Sequence, residues 1–142
     1  MFMNKIQALA NEMKQFFSPQ TVTNVYSICK QLEIEIVEAP IQADAYLECE
    51  NGNSYIVLKE SLNSNRKKFT IAHELGHFYI PWHSELMFGC DIKEMDFKND
   101  YAPREKEANL FAAELLMPMK EFKNHFSGKI CYTTVSELAN IF

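Results

Sequence analysis

Two histidines four residues apart, with a glutamate directly after the first, stand in the stretch AHELGHF, Ala72–Phe78. On an α-helix, positions i and i+4 share a face one turn apart, so His73 and His77 can aim their imidazoles at one point. Imidazole nitrogen binds zinc at about 2.0–2.1 Å. Glu74 lies about 100° round the same helix, badly placed to bind the same ion but well placed to reach a water on it. Zinc lowers the pKa of such a water to about 7. A carboxylate beside it can take the water's proton and later hand it to a leaving amine. The pattern therefore predicts metal-assisted hydrolysis. The competing interpretation is two histidines that merely share a solvated or core face. Gly76 costs about 1 kcal/mol against alanine inside a helix, so its presence predicts another segment passing close by.

A catalytic zinc takes three protein ligands and keeps one position open. The sequence offers several third ligands. His83, ten residues after His73, gives HELGHFYIPWH. That is the metzincin histidine spacing, but Ile80 and Pro81 replace the usual glycine turn, and a rim or surface histidine is the plainer expectation. Glu105 heads a second helical segment, REKEANLFAAELLMP, Arg104–Pro118. It shares a face with Asn109, and Ala108, Ala112, Leu115 and Leu116 extend that side as an apolar stripe. A carboxylate carried inward on such a stripe needs a partner, and a metal is one. Asn109 could then hydrogen-bond the free ring nitrogen of a ligating histidine. Glu107 points about 200° away from Glu105, which predicts solvent, where the helix dipole favours acidic first turns anyway. Tyr101, His83 and Arg104 are candidate transition-state donors.

The elements that must position these residues are readable from periodicity. Ile6, Leu9, Met13, Phe16 and Phe17 recur at helical spacing before Pro19, predicting a core-facing amphipathic helix. A second helix is expected over Thr21–Leu32, with Val25, Ile28, Cys29 and Leu32 inward. EIEIVE, Glu33–Glu38, alternates with a period of two and reads as a strand. AYLECE and SYIVLK flank Asn51-Gly52-Asn53, a hairpin signal, because Asn and Gly tolerate positive φ. The motif helix is expected from Arg66 to Ile80, stopped by Pro81. Residues 82–102 read mainly as loop. The second motif helix is expected from Pro103 to Met117. A short helix over Met119–Phe126 and a capped helix from Thr134 follow. The last one reaches Phe142 with its apolar positions unfinished, so the chain is expected to be cut short of its natural end. The expectation is one α+β domain over 1–142, a small mostly antiparallel sheet packed with helices.

Bulk properties bound the function. At 142 residues, 47% hydrophobic and 13% aromatic, the chain can build a real core in one domain. The net charge of -5 argues against direct nucleic-acid binding. Arg66-Lys67-Lys68 is too short a basic run to change that and reads as a solvated helix start. Cys29, Cys49, Cys90 and Cys131 form no C-x-x-C pair, so a four-cysteine zinc site is not expected. The N-terminus does not read as a signal peptide, and no run approaches about 20 apolar residues. The expected setting is the cytoplasm, with reduced thiols and no membrane partner.

Two blocks in this order, RKKFTIAHELGHF at Arg66–Phe78 and EKEANLFAAELLMP at Glu105–Pro118, resemble the ImmA/IrrE family of zinc metallopeptidases. The resemblance covers roughly Ile28 to Phe142. It implies a gluzincin-like site in which His73 and His77 match the histidine ligands of zinc (Zn2+), Glu74 the catalytic glutamate and Glu105 the third ligand. It also implies a protein substrate, a helix-turn-helix transcriptional repressor whose cleavage relieves repression in a mobile element or stress-response locus. Family members often carry further helices where this chain stops, at SELANIF. A slow, selective enzyme is expected of so small a chain. The alternative of a different class is a non-cleaving antirepressor holding a structural zinc. A third is a peptidase-like domain excised from a larger toxin or regulator.

Overall fold

The structure, a computed structural model, describes residues 2–83 and 101–118. The expected helices over Met119–Phe126 and from Thr134, the centre of the 82–102 loop, Cys90 and Cys131 all lie outside the described residues. Four helices and one three-stranded sheet run in the order α1 (Phe2–Phe17), α2 (Val25–Gln31), β1 (Ile34–Ala39), β2 (Ala45–Glu50), β3 (Asn53–Lys59), α3 (Ser64–Tyr79) and α4 (Tyr101–Leu116). This is the expected α+β class.

Helix α1 buries Ile6, Ala10 and Met13 completely. Phe16, expected inward, is 75% exposed. The stripe advances through 6, 10 and 13 to Phe17, and Ala10 rather than Phe16 completes it because four-residue steps stay on one face. Helix α2 starts at Val25, four residues later than expected. The Asn24 side chain caps it, accepting from Ser27 N at 3.1 Å. Upstream of Asn24 the backbone is claimed by the buried ammonium of Lys14. Its Nζ donates to Ser18 O at 3.2 Å, to Gln20 O, to Thr21 O at 3.4 Å and to Thr23 Oγ1 at 3.0 Å. The Thr23 hydroxyl in turn donates to Leu115 O at 2.6 Å, satisfying a carbonyl of the last turn of α4.

The sheet has the order β1-β3-β2. The β2–β3 hairpin is antiparallel and closes through Asn51 (φ 52°) and Gly52 (φ 80°), the two positive φ values that the Asn-Gly pair predicts. Strand β1 pairs parallel to β3, with Ile36 opposite Ile56. The sheet is therefore mixed rather than mostly antiparallel. The turn chemistry encodes β2–β3 locally, whereas the partner of β1 is decided by packing. Ile56, Val57 and Leu58 are buried in succession, as suits a central strand covered on both faces. Strand β1 begins at Ile34 because Glu33 takes the left-handed conformation (φ 60°) that turns the chain out of α2.

Asn63 caps α3 through its side chain, accepting from Arg66 N at 2.8 Å, so the helix starts two residues before Arg66. Arg66 pairs with Asp44 at 2.6 Å and Lys67 with Glu38 at 2.7 Å, exposed ties from the helix to the sheet. At the other end Ile80 N donates to Gly76 O, and Pro81 closes the helix. Gly76 is where α3 meets α4. A Cβ there would lie 3.2 Å from the Cβ of Phe111 and 3.3 Å from the Cα of Ala108. Neither atom is the far end of a flexible side chain, so a side chain at 76 would press α4 away by a few tenths of an ångström. Ile71, Leu75, Phe111, Ala112 and Leu115 join the sheet residues in one core. No helix among the described residues is long and apolar enough to cross a membrane.

Candidate metal centre

The close approach at Gly76 brings Glu105 on α4 opposite His73 and His77 on α3. His73 Nε2 lies 2.9 Å from Glu105 Oε2, His77 Nε2 lies 3.1 Å from Glu105 Oε1, and the two Nε2 atoms are 3.2 Å apart. Four tetrahedral ligands at zinc's usual bond lengths of 2.0–2.1 Å stand about 3.3 Å from one another. Three donor atoms spaced at 2.9–3.2 Å therefore match a ligand triangle, and these three residues form a group able to hold a metal ion. His77 is fully buried, whereas the His73 and Glu105 side chains are 14% and 20% exposed. The triangle thus opens to solvent on the His73–Glu105 side. Glu74 is buried and close enough for its charge to act on His73.

The electrostatics agree with the geometry. Burial alone would depress the His73 pKa. The hydrogen bond and charge of Glu105, with the charge of Glu74 and the hydrogen bond to Asn109, outweigh it and raise the pKa above the ordinary 6.5. Burial would likewise raise Glu105, but the hydrogen bonds and charges of His73 and His77 pull it down to about 2.

Each histidine is held by its other nitrogen. His73 Nδ1 lies 2.8 Å from Asn109 Oδ1. A carboxamide oxygen only accepts, so His73 donates there and keeps Nε2 for the triangle, as the sequence anticipated for Asn109. His77 Nδ1 lies 2.9 Å from His83 Nδ1, and His83 Nε2 lies 2.9 Å from Glu107 Oε1. The same oxygen accepts from Trp82 Nε1 at 2.9 Å.

Two expectations are corrected here. His83 is neither a surface or rim residue nor a member of the triangle. It is fully buried behind His77, on the nitrogen opposite the one that faces Glu105. With both of its nitrogens engaged, it is not a donor to a substrate either. Burial, foremost, pushes its pKa down. Glu107 does not point into solvent, since its side chain is only 14% exposed. Pro81-Trp82-His83 form a tight turn, with His83 N donating to Ile80 O at 3.0 Å. That turn folds the end of α3 against the first turn of α4, and Glu107 accepts from it. Two N–H groups satisfy this partly buried carboxylate. The only sequence signal was two polar residues, Trp82 and His83, directly after a helix-stopping proline. Arg104 acts on His83 through its charge, and the Tyr101 side chain lies outside the described residues.

Comparison with known proteins points the same way. The family described as the IrrE N-terminal-like domain, a peptidase family, matches residues 29–142. The "Uncharacterized immunity region protein 2" of Bacillus phage phi105 is 30% identical over 108 residues, 72% of this chain and 65% of its own length. "Metallopeptidase ImmA" of Bacillus subtilis (strain 168) is 26% identical over 115 residues, 80% of this chain and 66% of its own length. The chain thus spans just under two thirds of the length of these curated relatives.

Proposed function

The chain belongs to the IrrE N-terminal-like domain family, and from that premise we propose that it is a zinc-dependent endopeptidase of the cytoplasm. Its proposed substrate is a helix-turn-helix transcriptional repressor, cut so that repression is relieved. The observation that carries this reading is the triangle of His73 Nε2, His77 Nε2 and a Glu105 carboxylate at metal-ligand spacing beside a buried Glu74. The names of the relatives, a metallopeptidase and a phage immunity-region protein, support the substrate class. On this reading residues 1–142 act as one metallopeptidase domain.

His73, His77 and Glu105 would hold the ion. A bound zinc supplies Lewis acidity, polarising the scissile carbonyl and acidifying the attacking water. Glu74 then does the proton work. Its carboxylate takes a proton as the water oxygen adds to the carbonyl carbon. It returns that proton to the amide nitrogen as the C–N bond breaks, giving a carboxylic acid and an amine, and the acid's remaining proton passes to the amine to leave a carboxylate and an ammonium group. Glu74 suits this role because it stands on the rigid α3, one residue from a ligand, and needs no loop to bring it in. A non-cleaving binder would have no use for a general base at this position.

The direct test is incubation of the zinc-loaded protein with helix-turn-helix repressors from the same genome, each read by mass spectrometry. Cleavage at a defined bond is expected. An intact repressor that is nevertheless released from its operator would favour the binder.

The pH dependence of metal binding follows from His73. In the metal-free protein its pKa lies above 6.5 because Glu105 outweighs burial. The stability gained from that charged pairing is fully present below about 6.5 and is lost as pH rises through the folded value. Zinc needs the same nitrogen unprotonated, so it competes with that proton, and its apparent affinity falls by about tenfold per pH unit per proton displaced. The two trends run in opposite directions. The rise in Tm caused by zinc is therefore expected to widen between about pH 6 and about pH 8. An equal zinc-induced shift at both ends would count against His73 as a ligand.

A further inference from the structure

One group of polar side chains lies outside the triangle and its proton chemistry, the buried run of Trp82, His83 and Glu107 behind His77. Its hydrogen bonds have a fixed direction that can be worked out from the outside in. An indole N–H can only donate, so Glu107 Oε1 is an acceptor toward Trp82 at 2.9 Å. The same oxygen faces His83 Nε2 at 2.9 Å, so that nitrogen must carry a proton. His83 is fully buried and has a second imidazole against it. A neutral ring with its proton on Nε2 has a lone pair on Nδ1. His77 Nδ1, 2.9 Å away, must then donate. With Nδ1 donating to His83, His77 is left to use Nε2, 3.1 Å from Glu105 and 3.2 Å from His73. That nitrogen carries either a second proton, donated to Glu105 while the metal is absent, or, in the neutral ring, the lone pair a metal takes.

We infer that Glu107 and His83 are positioning residues that fix the tautomer of His77 and so keep its Nε2 lone pair turned into the metal site. The inference rests on the metal-binding reading for its functional meaning, but the tautomers themselves do not depend on it. The contrast with His73 shows what the arrangement adds. His73 is oriented by a single amide oxygen from α4. His77 has no such partner on α4, and the carboxylate that orients it acts through an interposed histidine delivered by the Pro81–His83 turn. Trp82 donates to the same carboxylate oxygen as His83. Without Glu107 nothing in the run would favour one His83 tautomer. His77 could then place its proton on Nε2, toward the Glu105 carboxylate, where it would oppose a metal. Ligand histidines are commonly oriented by such outer partners, whose loss costs about 10–100-fold in metal affinity.

The experiment combines two readouts on the full chain. Nitrogen-15 NMR of the histidine rings in metal-free wild type should find His77 protonated at Nδ1 and His83 at Nε2. Zinc competition against a chromophoric chelator should show Glu107→Leu binding zinc about 10–100-fold more weakly than wild type. Glu107→Gln keeps an acceptor oxygen for both N–H groups and should lose much less. Thermal unfolding of the metal-free variants reports whether each is folded. If Glu107→Leu does not fold, the wild-type tautomers and the Glu107→Gln comparison still decide. A neutral His77 with its one proton on Nε2 in the wild type, or a folded Glu107→Leu that binds zinc within about twofold of wild type, would overturn the inference. Wild type that shows the stated tautomers but takes up no zinc would instead sink the metal reading and leave the directional run standing. Wrong tautomers with zinc bound would do the reverse.

Discussion

Protein carrying Glu74→Gln is expected to bind as much zinc as wild type and to cleave its substrate about 10²–10⁴-fold more slowly, the usual contribution of a general acid–base group. The separation of the two effects is the point. Glu74 lies about 100° round α3 from His73 and is not part of the ligand triangle, which is made by His73, His77 and Glu105. An amide there has nearly the same shape and size as the carboxylate, so the buried position is not left with a cavity. What it loses is the capacity to take and return a proton. The removed charge also acts on His73, whose pKa Glu74 helps to raise, so His73 in the metal-free variant should titrate lower than in wild type. Zinc content by elemental analysis and cleavage by mass spectrometry check the two halves. A variant that still cut at the wild-type rate would place the general base elsewhere. One that relieved repression fully without cutting would turn the reading toward the binder.

Glu105→Ala is expected to lower zinc affinity by more than about 100-fold, beyond the range for outer-shell changes, so that dialysed protein retains far less than one ion per chain. Two imidazoles alone do not satisfy an ion that takes three protein ligands. The variant also uncouples the histidines, because Glu105 is the chief group raising the His73 pKa against burial. His73 in metal-free Glu105→Ala should therefore titrate well below its wild-type value, which NMR can follow without any metal. Full zinc retention would contradict the triangle. Among the described residues neither of the other candidates is a ready substitute, because His83 meets His77 on the wrong nitrogen and Glu107 is turned to Trp82 and His83.

The chemistry-bearing residues were the most legible part of the sequence. His73, Glu74 and His77 are fixed relative to one another by the helix repeat alone, so their geometry follows once the segment is helical. Asn51-Gly52 was equally secure, because the turn demands two positive φ values and few residue pairs supply them. The apolar stripes of α1 and α4 were readable too, apart from Phe16, since a stripe of that width can be completed by Ala10 just as well. Gly76 announced a close neighbour, and α4 at Phe111 and Ala108 is that neighbour. The start of α2 was not readable, because Lys14 takes the carbonyls of Ser18, Gln20 and Thr21 in a way no local propensity signals.

By itself, then, the sequence determined which residues share a helix face, where the hairpin turns and that a metal-assisted hydrolysis was the chemistry to expect. These are local matters, set by helix repeat, turn conformation and side-chain type. Only the tertiary structure decided that β1 joins β3 in parallel, that Glu105 rather than His83 or Glu107 stands with the two Nε2 atoms, and that His83 and Glu107 lie behind His77 as its support. Each of those depends on how far apart two helices settle and where a proline-broken turn is laid down. The distance is set by Gly76 against Ala108 and Phe111. The turn is held by the partly buried Glu107 carboxylate, which accepts the N–H groups of Trp82 and His83.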